Sequence, residues 1–329
     1  MREPFAKLCG NFIENRDRIR SAFAWETAEI YPVCAGIFAE KGRMADPQRM
    51  KTCRDIIKKK TGLFSNFGGT IRLPMISILS LSEYPEEKMD KALRLYGCLK
   101  EYFFSSEYLP VAAMMLTDLI EESGYEAIAR RTKRIYDLMK QEHPFLTSKE
   151  DSVFAALLAL SERTDEEVTE ETEKCYEILK PLFFSGNAVQ SLSHVLALGE
   201  GSADEKCRRT MALYDGLREK GCRYGTDYEL ATLGALALHP VELESLIQDM
   251  VEVDAFLSGQ KGYGLFGVSR KQRLMHAAML VSCAVQSGQT AMSSAALSGT
   301  ISLIAAQEAA MCAAIAASAA AASSNNTAS

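Results

Sequence analysis

Four histidines, His143, His194, His239 and His276, are the only imidazoles in the 329 residues. Imidazole is the side chain best matched to proton transfer near neutral pH and to binding a transition metal. Two of the four have chemically useful company. His143 stands seven and eight residues before the adjacent carboxyls Glu150 and Asp151, and His194 follows Asn187 by seven, Gln190 by four and Ser191 by three. Two imidazoles, two carboxyls and two amides could move a proton or hold a small molecule or a metal, provided that they converge and that at least one pKa is displaced. His143, Glu150, Asp151, Asn187, Gln190 and His194 are therefore the candidate polar site. A plainer reading competes with it, namely helix caps and hydrogen bonds between neighbouring helices. His143 and His239 each precede a proline and so mark turns, and His194 and His276 lie 82 residues apart, which points to a shared structural place. No H-E-x-x-H, G-x-S-x-G, dinucleotide-binding glycine pattern or calcium loop is present, so no catalytic residue, metal ligand or cofactor is assigned.

These groups sit in a stretch, residues 143–184, that reads as one helical hairpin. Thr147 and Glu150 form a capping-box pattern ahead of an apolar run, and Thr164 and Glu167 form a second one. The stretch closes on Tyr176-Glu-Ile-Leu179-Lys180, whose pattern Y-x-x-[LM]-[KR] recurs at Tyr96, Tyr136 and Tyr214, with tyrosines spaced by 40, 40 and 38 residues. Phe64, Phe104, Phe145, Phe184, Tyr224 and Tyr263 keep the same beat. Two helices per period of about 40 residues predict an all-α array of six to seven α-hairpins, each burying its apolar face against its neighbours. An open α-solenoid is the first expectation and a closed α/α toroid the alternative. The four tyrosines are expected to be packing residues with hydroxyls near the inter-helix turns.

Taken in order, the chain divides into an N-terminal helical cap with a degenerate first hairpin (1–62), the repeat array (63–290) and an alanine-rich C-terminal helix with a frayed end (291–329). An amphipathic helix is predicted over 5–22. Pro32 and Gly36 are expected to interrupt the following segment, Trp25 to pack within it, and Asp46-Pro47 to start a helix that ends before Gly62. Asn187 with Gln190, Ser202 with Glu205 and Ser269 with Gln272 are further capping boxes, while Gly124, Gly199 and Gly221 fall where left-handed C-cap glycines belong. In the tail, Leu297, Ile301, Ile304, Glu308, Met311, Ile315 and Ser318 share one helical seam. Docking of that seam on the last hairpin is expected, with Glu308 meeting Arg270, Lys271 or Arg273; a loosely ordered low-complexity tail is the second choice and self-association through the tail the third, and membrane insertion is disfavoured by Glu308.

A formal charge of −6 supplies no phosphate-binding footprint, so nucleic acid is not an expected partner. Lys58-Lys59-Lys60 suits a helix C-terminus. Nine cysteines without a C-x-x-C read as small core residues in a reducing compartment. With no apolar leader near the N-terminus, the expected location is cytoplasmic.

At His143-Pro-Phe-Leu-Thr-Ser148 with Glu150-Asp151, at Cys175-Tyr-x-x-Leu-Lys180 and at Gly186-Asn-x-x-Gln190-Ser-Leu-Ser-His194, the chain resembles a family of bacterial proteins known as domain of unknown function 4003. Pro32-Val-Cys-Ala35 and Thr61-Gly-Leu-Phe-Ser65 support the resemblance, which spans nearly the whole chain. Ser152 stands where the family pattern has an aromatic, and Phe67-Gly68-Gly69 replaces Phe-Arg-Gly. The resemblance implies extent and bacterial origin, with no activity, substrate or cofactor attached. The functional expectation is a scaffold that binds a protein or peptide on the concave face of the array; the alternative is an enzyme, or a metal- or small-molecule-binding toroid, using His143, Asp151 and His194.

Overall fold

A computed structural model describes residues 3–62, 66–104, 106–264 and 267–287. Among these residues all regular structure is helical. The α-helices are α1 (Glu3–Ala22), α2 (Ile30–Glu40), α3 (Pro47–Thr61), α4 (Arg72–Leu81), α5 (Pro85–Tyr102), α6 (Tyr108–Leu116), α7 (Tyr125–Glu142), α8 (Asp151–Leu158), α9 (Asp165–Leu179), α10 (Gly186–Ala197), α11 (Ala203–Glu219), α12 (Glu229–Ala237), α13 (Leu243–Ser258) and α14 (Arg270–Ser287).

Helices alternate between two kinds, and composition explains why. Odd-numbered helices are mostly long and amphipathic; α7 buries only Tyr125, Ala129, Thr132, Ile135 and Met139, a stripe at three- and four-residue steps. Even-numbered helices up to α12 are short and apolar nearly all round. In α6 every residue from Leu109 to Leu116 is buried, as is all of α8 and α12. A helix without a polar face must be covered on all sides, so these form an inner layer beneath the amphipathic ones.

The chain forms two compact units, Ala45–Glu170 and Met1–Met44 together with Glu171–Ser329. Within the first, α3, α5 and α7 pack side by side as one layer and α4, α6 and α8 as the other. Within the second, α10 packs on α12, α12 on α14 and α14 on α2, while α13 contacts both α11 and α1. The first hairpin thus packs directly on the last, around a core containing Phe12, Ala35, Leu257, Leu274 and Val281.

Inner helices end in a shared device that the sequence reading did not find. A cation from an outer helix reaches the carbonyls at the inner helix's C-terminus, the negative end of its dipole. Arg49 donates through Nε to Ser80 O at 2.7 Å and through Nη2 to Ser82 O. Arg131 donates through Nη1 to Ala159 O at 3.1 Å and Ser161 O at 2.5 Å, through Nη2 to Arg163 O, and through Nε to the Asp165 carboxylate at 2.8 Å. Arg209 repeats the pattern on Ala237 O at 2.6 Å, His239 O at 2.8 Å and Val241 O. Each guanidinium satisfies carbonyls that the helix itself cannot pair.

Several local expectations need correction. Residues 30–40 form an uninterrupted helix, because Pro32 falls at its third position, where no intrahelical carbonyl awaits its missing N–H; Pro74 and Pro110 stand third in α4 and α6 likewise. Trp25 is fully exposed and packs on nothing. The Thr147–Glu150 box does not form: α8 starts at Asp151, whose carboxylate accepts Ser148 N–H at 2.7 Å, while the Thr147 hydroxyl donates to Met139 O at 3.1 Å. Ser185, not Asn187, caps α10 by accepting Ala188 N–H. Gly221 has the expected left-handed φ of 79°, but Gly124 and Gly199 do not, and the left-handed residue near Gly199 is Gly201. The boxes at Thr164, Ser202 and Ser269 and the Asp46 cap are present.

Candidate functional site

Half of the candidate polar set belongs to the Ala45–Glu170 unit. The α7–α8 turn folds around its own backbone: His143 accepts Thr147 N–H at 2.9 Å, Lys140 Nζ donates to Thr147 O at 3.0 Å and the Tyr136 hydroxyl to Ser148 O at 3.2 Å. Asp151 is only 3% exposed, and Glu150 beside it is half-buried. Burial pushes the Asp151 carboxyl up to about 7, against the Ser148 N–H bond that favours the anion, with the Glu150 charge adding to the rise and Lys140 opposing it. Burial also raises Glu150, opposed by a hydrogen bond with Ser148. The turn therefore carries adjacent carboxyls of which one changes charge near neutrality, the property a general acid or base requires.

The other half lies in the second unit, on α10. Gln190 and His194, one turn apart, are both buried, whereas Asn187 is exposed. His276 is buried in α14, where the Tyr263 hydroxyl meets its Nδ1 at 3.0 Å; burial, with Arg16 nearby, pushes it down to about 3. His239 is pushed down to about 4 by burial and by Arg209. Both rings are neutral at physiological pH and serve packing. Among the described residues no three His, Cys, Asp or Glu side chains are grouped to hold a metal ion. The eight described cysteines are free thiols, seven of them buried.

The four motif tyrosines are half-buried rather than core. Their partners in Y-x-x-[LM], Leu99, Met139, Leu179 and Leu217, hold the core, while the rings sit at its edge. Tyr96, Tyr136 and Tyr214 meet Phe67, Phe103 and Phe183 edge-on, with centroids 5.0, 5.3 and 5.5 Å apart. Tyr96 accepts a bond from Asn66 Nδ2 at 2.8 Å.

The second set of periodic aromatics divides: Tyr224 and Tyr263 are buried in the turns before α12 and α14, while three phenylalanines in earlier turns are bare. Phe104, Phe145 and Phe184 are 95%, 99% and 102% exposed, each in the turn that leads from an outer helix into the next inner one. Their spacing was visible in the sequence; their exposure was not, because periodicity reports equivalence between repeats and says nothing about which side of the turn a ring takes.

Leu297, Ile301, Ile304, Glu308, Met311, Ile315 and Ser318 lie outside the described residues. The cations expected to meet Glu308 have other partners: Arg270 donates to Gly221 O at 2.6 Å, Lys271 lies 3.9 Å from Asp227, and Arg273 pairs with Asp254 at 2.6 Å. No described helix is long and apolar enough to cross a membrane.

Comparison with known proteins agrees with the motif resemblance. The chain is 24% identical over 196 residues to the uncharacterized protein YeaA of Bacillus subtilis (strain 168), covering 57% of this chain. The match spans 59% of that relative's length. No solved structure matches the chain. The family model described as protein of unknown function (DUF4003) matches residues 15–309, and the chain belongs to that family.

Proposed function

We propose that this chain is a helical-repeat scaffold that binds another protein or a peptide, and that its contact points are the aromatic corners between hairpins. The observation that carries this reading is the exposure of Phe104, Phe145 and Phe184 at equivalent turns. A single exposed apolar side chain is ordinary, but a bare phenylalanine recurring at one place in the repeat is costly unless covered, and aromatic rings are favoured anchors at interfaces. The test is affinity capture from a bacterial lysate with wild type and with a Phe104→Ser, Phe145→Ser, Phe184→Ser variant. A stoichiometric protein retained by wild type and lost by the variant, at unchanged melting temperature, supports the scaffold; identical retention refutes it.

A second reading is favoured by Asp151. Its carboxyl, poised near neutrality next to Glu150, suits proton transfer to a bound small molecule, which is the enzyme alternative. Stoichiometric metal or a co-purifying metabolite, lost in Asp151→Asn, would favour it over the scaffold.

A further inference from the structure

The guanidinium device is absent from two copies: α9 has Glu171 at the equivalent position, where Lys206 pairs with it at 2.5 Å and donates to Gly199 O at 3.2 Å in the turn after α10, and α5 has Lys91. Arg131, Arg209 and Lys91 are each the seventh residue of their helices α7, α11 and α5, and each directly precedes an equivalent buried position, Thr132, Thr210 and Ala92. Later core residues keep the register: Met139, Leu217 and Leu99 all follow by eight. Arg131 and Arg209 fill the turn after the inner helix by donating to three carbonyls each. Lys91 instead pairs with Glu87 on its own helix at 3.1 Å.

The turn that Lys91 leaves, between α6 and α7, holds a cavity of about 190 Å³ lined by Lys91, Thr117, Asp118, Glu121, Glu122 and Tyr125, among others. Tyr125, one of the lining residues, is 4% exposed, and its buried hydroxyl has no hydrogen-bond partner. Of the three carboxylates that line it, two are already engaged, Asp118 by Lys88 and Glu122 by Arg94 at 2.7 and 2.9 Å, and the third, Glu121, is exposed. What remains is a helix C-terminus with its negative dipole end, an orphaned hydroxyl and room beside them, an arrangement that repels anions. A metal ion is a poor fit, since no three-ligand group exists among the described residues.

We propose that this cavity binds an external guanidinium group, which takes the place that Arg131 and Arg209 fill in their hairpins. A planar guanidinium offers five N–H donors, enough for the turn carbonyls and the Tyr125 oxygen together, whereas an ammonium offers three in a compact cone. The group could arrive on a free alkylguanidine or on an arginine side chain of a partner. The inference stands apart from the aromatic corners, because it uses the opposite ends of the inner helices.

Titration of the intact chain with methylguanidinium, methylammonium and a capped Gly-Arg-Gly peptide, followed by NMR, tests the proposal. Methylguanidinium is expected to saturate a site near Tyr125 and to bind at least tenfold tighter than methylammonium. Lys91→Arg, which brings a guanidinium to the register position of Arg131, is expected to weaken that binding at least tenfold, and Tyr125→Phe severalfold without loss of fold. A peptide that binds tenfold tighter than methylguanidinium identifies a partner's arginine as the source; equal affinities identify a free alkylguanidine. Wild-type affinity in Lys91→Arg, equal binding of the two cations, or no saturable binding, which leaves the cavity to water, each overturns it.

Discussion

The two ends of the inner helices are built for different purposes. At the C-terminal ends of α4, α8 and α12 a guanidinium from an outer helix binds two or three carbonyls, and little of the chemistry is left open. The turns leading into the N-terminal ends of α6, α8 and α10 hold the bare rings Phe104, Phe145 and Phe184, and α8 opens on the titratable Asp151. In a repeat fold, stability resides in interfaces between neighbours and must be repeated in most units. Under the proposed binding role, the groups that meet a partner need no such duty, and their solvent exposure or displaced pKa is a cost that the closed ends offset.

If the C-terminal ends are structural, breaking one should give the largest effect. Arg131→Met leaves three carbonyls without their donor and Asp165 with Arg134 alone, and should lower unfolding free energy by about 3 kcal/mol, about 1 kcal/mol for each acceptor left unpaired; urea denaturation reads this, and a loss below about 1 kcal/mol would remove the device from the account. Arg209→Met should behave alike.

The next effect is one of pH. Burial pushes the Asp151 carboxyl from the ordinary 3.8 of an aspartate up to about 7 in the folded state. The folded state therefore holds a proton that the unfolded state releases, so stability falls as pH rises from about 4 to about 7, with a slope of up to about 1.4 kcal/mol per unit from this group. Asp151→Asn, still able to accept the Ser148 N–H, should flatten that slope and exceed wild-type stability at pH 8. Equal slopes in the two proteins would show that the carboxyl titrates in its ordinary range.

A smaller effect is expected at the edge rings. Tyr136→Phe removes only the 3.2 Å bond to Ser148 O and should cost about 0.5–1 kcal/mol. Substitution of the whole ring by alanine should cost less than a core aromatic, because the ring is half-buried.

Much of the fold was legible because it depends on patterns that repeat. The 40-residue tyrosine spacing located the outer helices, and the boxes at Thr164, Ser202 and Ser269 located helix starts, since these signals act over three or four residues. What depends on longer reach was not legible. Arg131 meets Ser161 across 30 residues of chain, and no local pattern distinguishes it from the exposed Arg130 beside it. Trp25 and Phe145 look like core by composition, and only the course of the turn places them in solvent. Of the candidate site, the Glu150–Asp151 pair was legible as adjacent carboxyls, but the burial that displaces their pKa values comes from tertiary packing around α8. The alanine-rich seam lies outside the described residues.

The contrast between the two ends comes to its sharpest test in one urea-denaturation comparison of wild type with the Phe104→Ser, Phe145→Ser, Phe184→Ser variant. Rings that are free contact points should leave the unfolding free energy within about 0.5 kcal/mol of wild type despite three large aromatic losses. A loss of several kcal/mol, on the scale of core aromatics, would contradict the account and make these phenylalanines part of the packing.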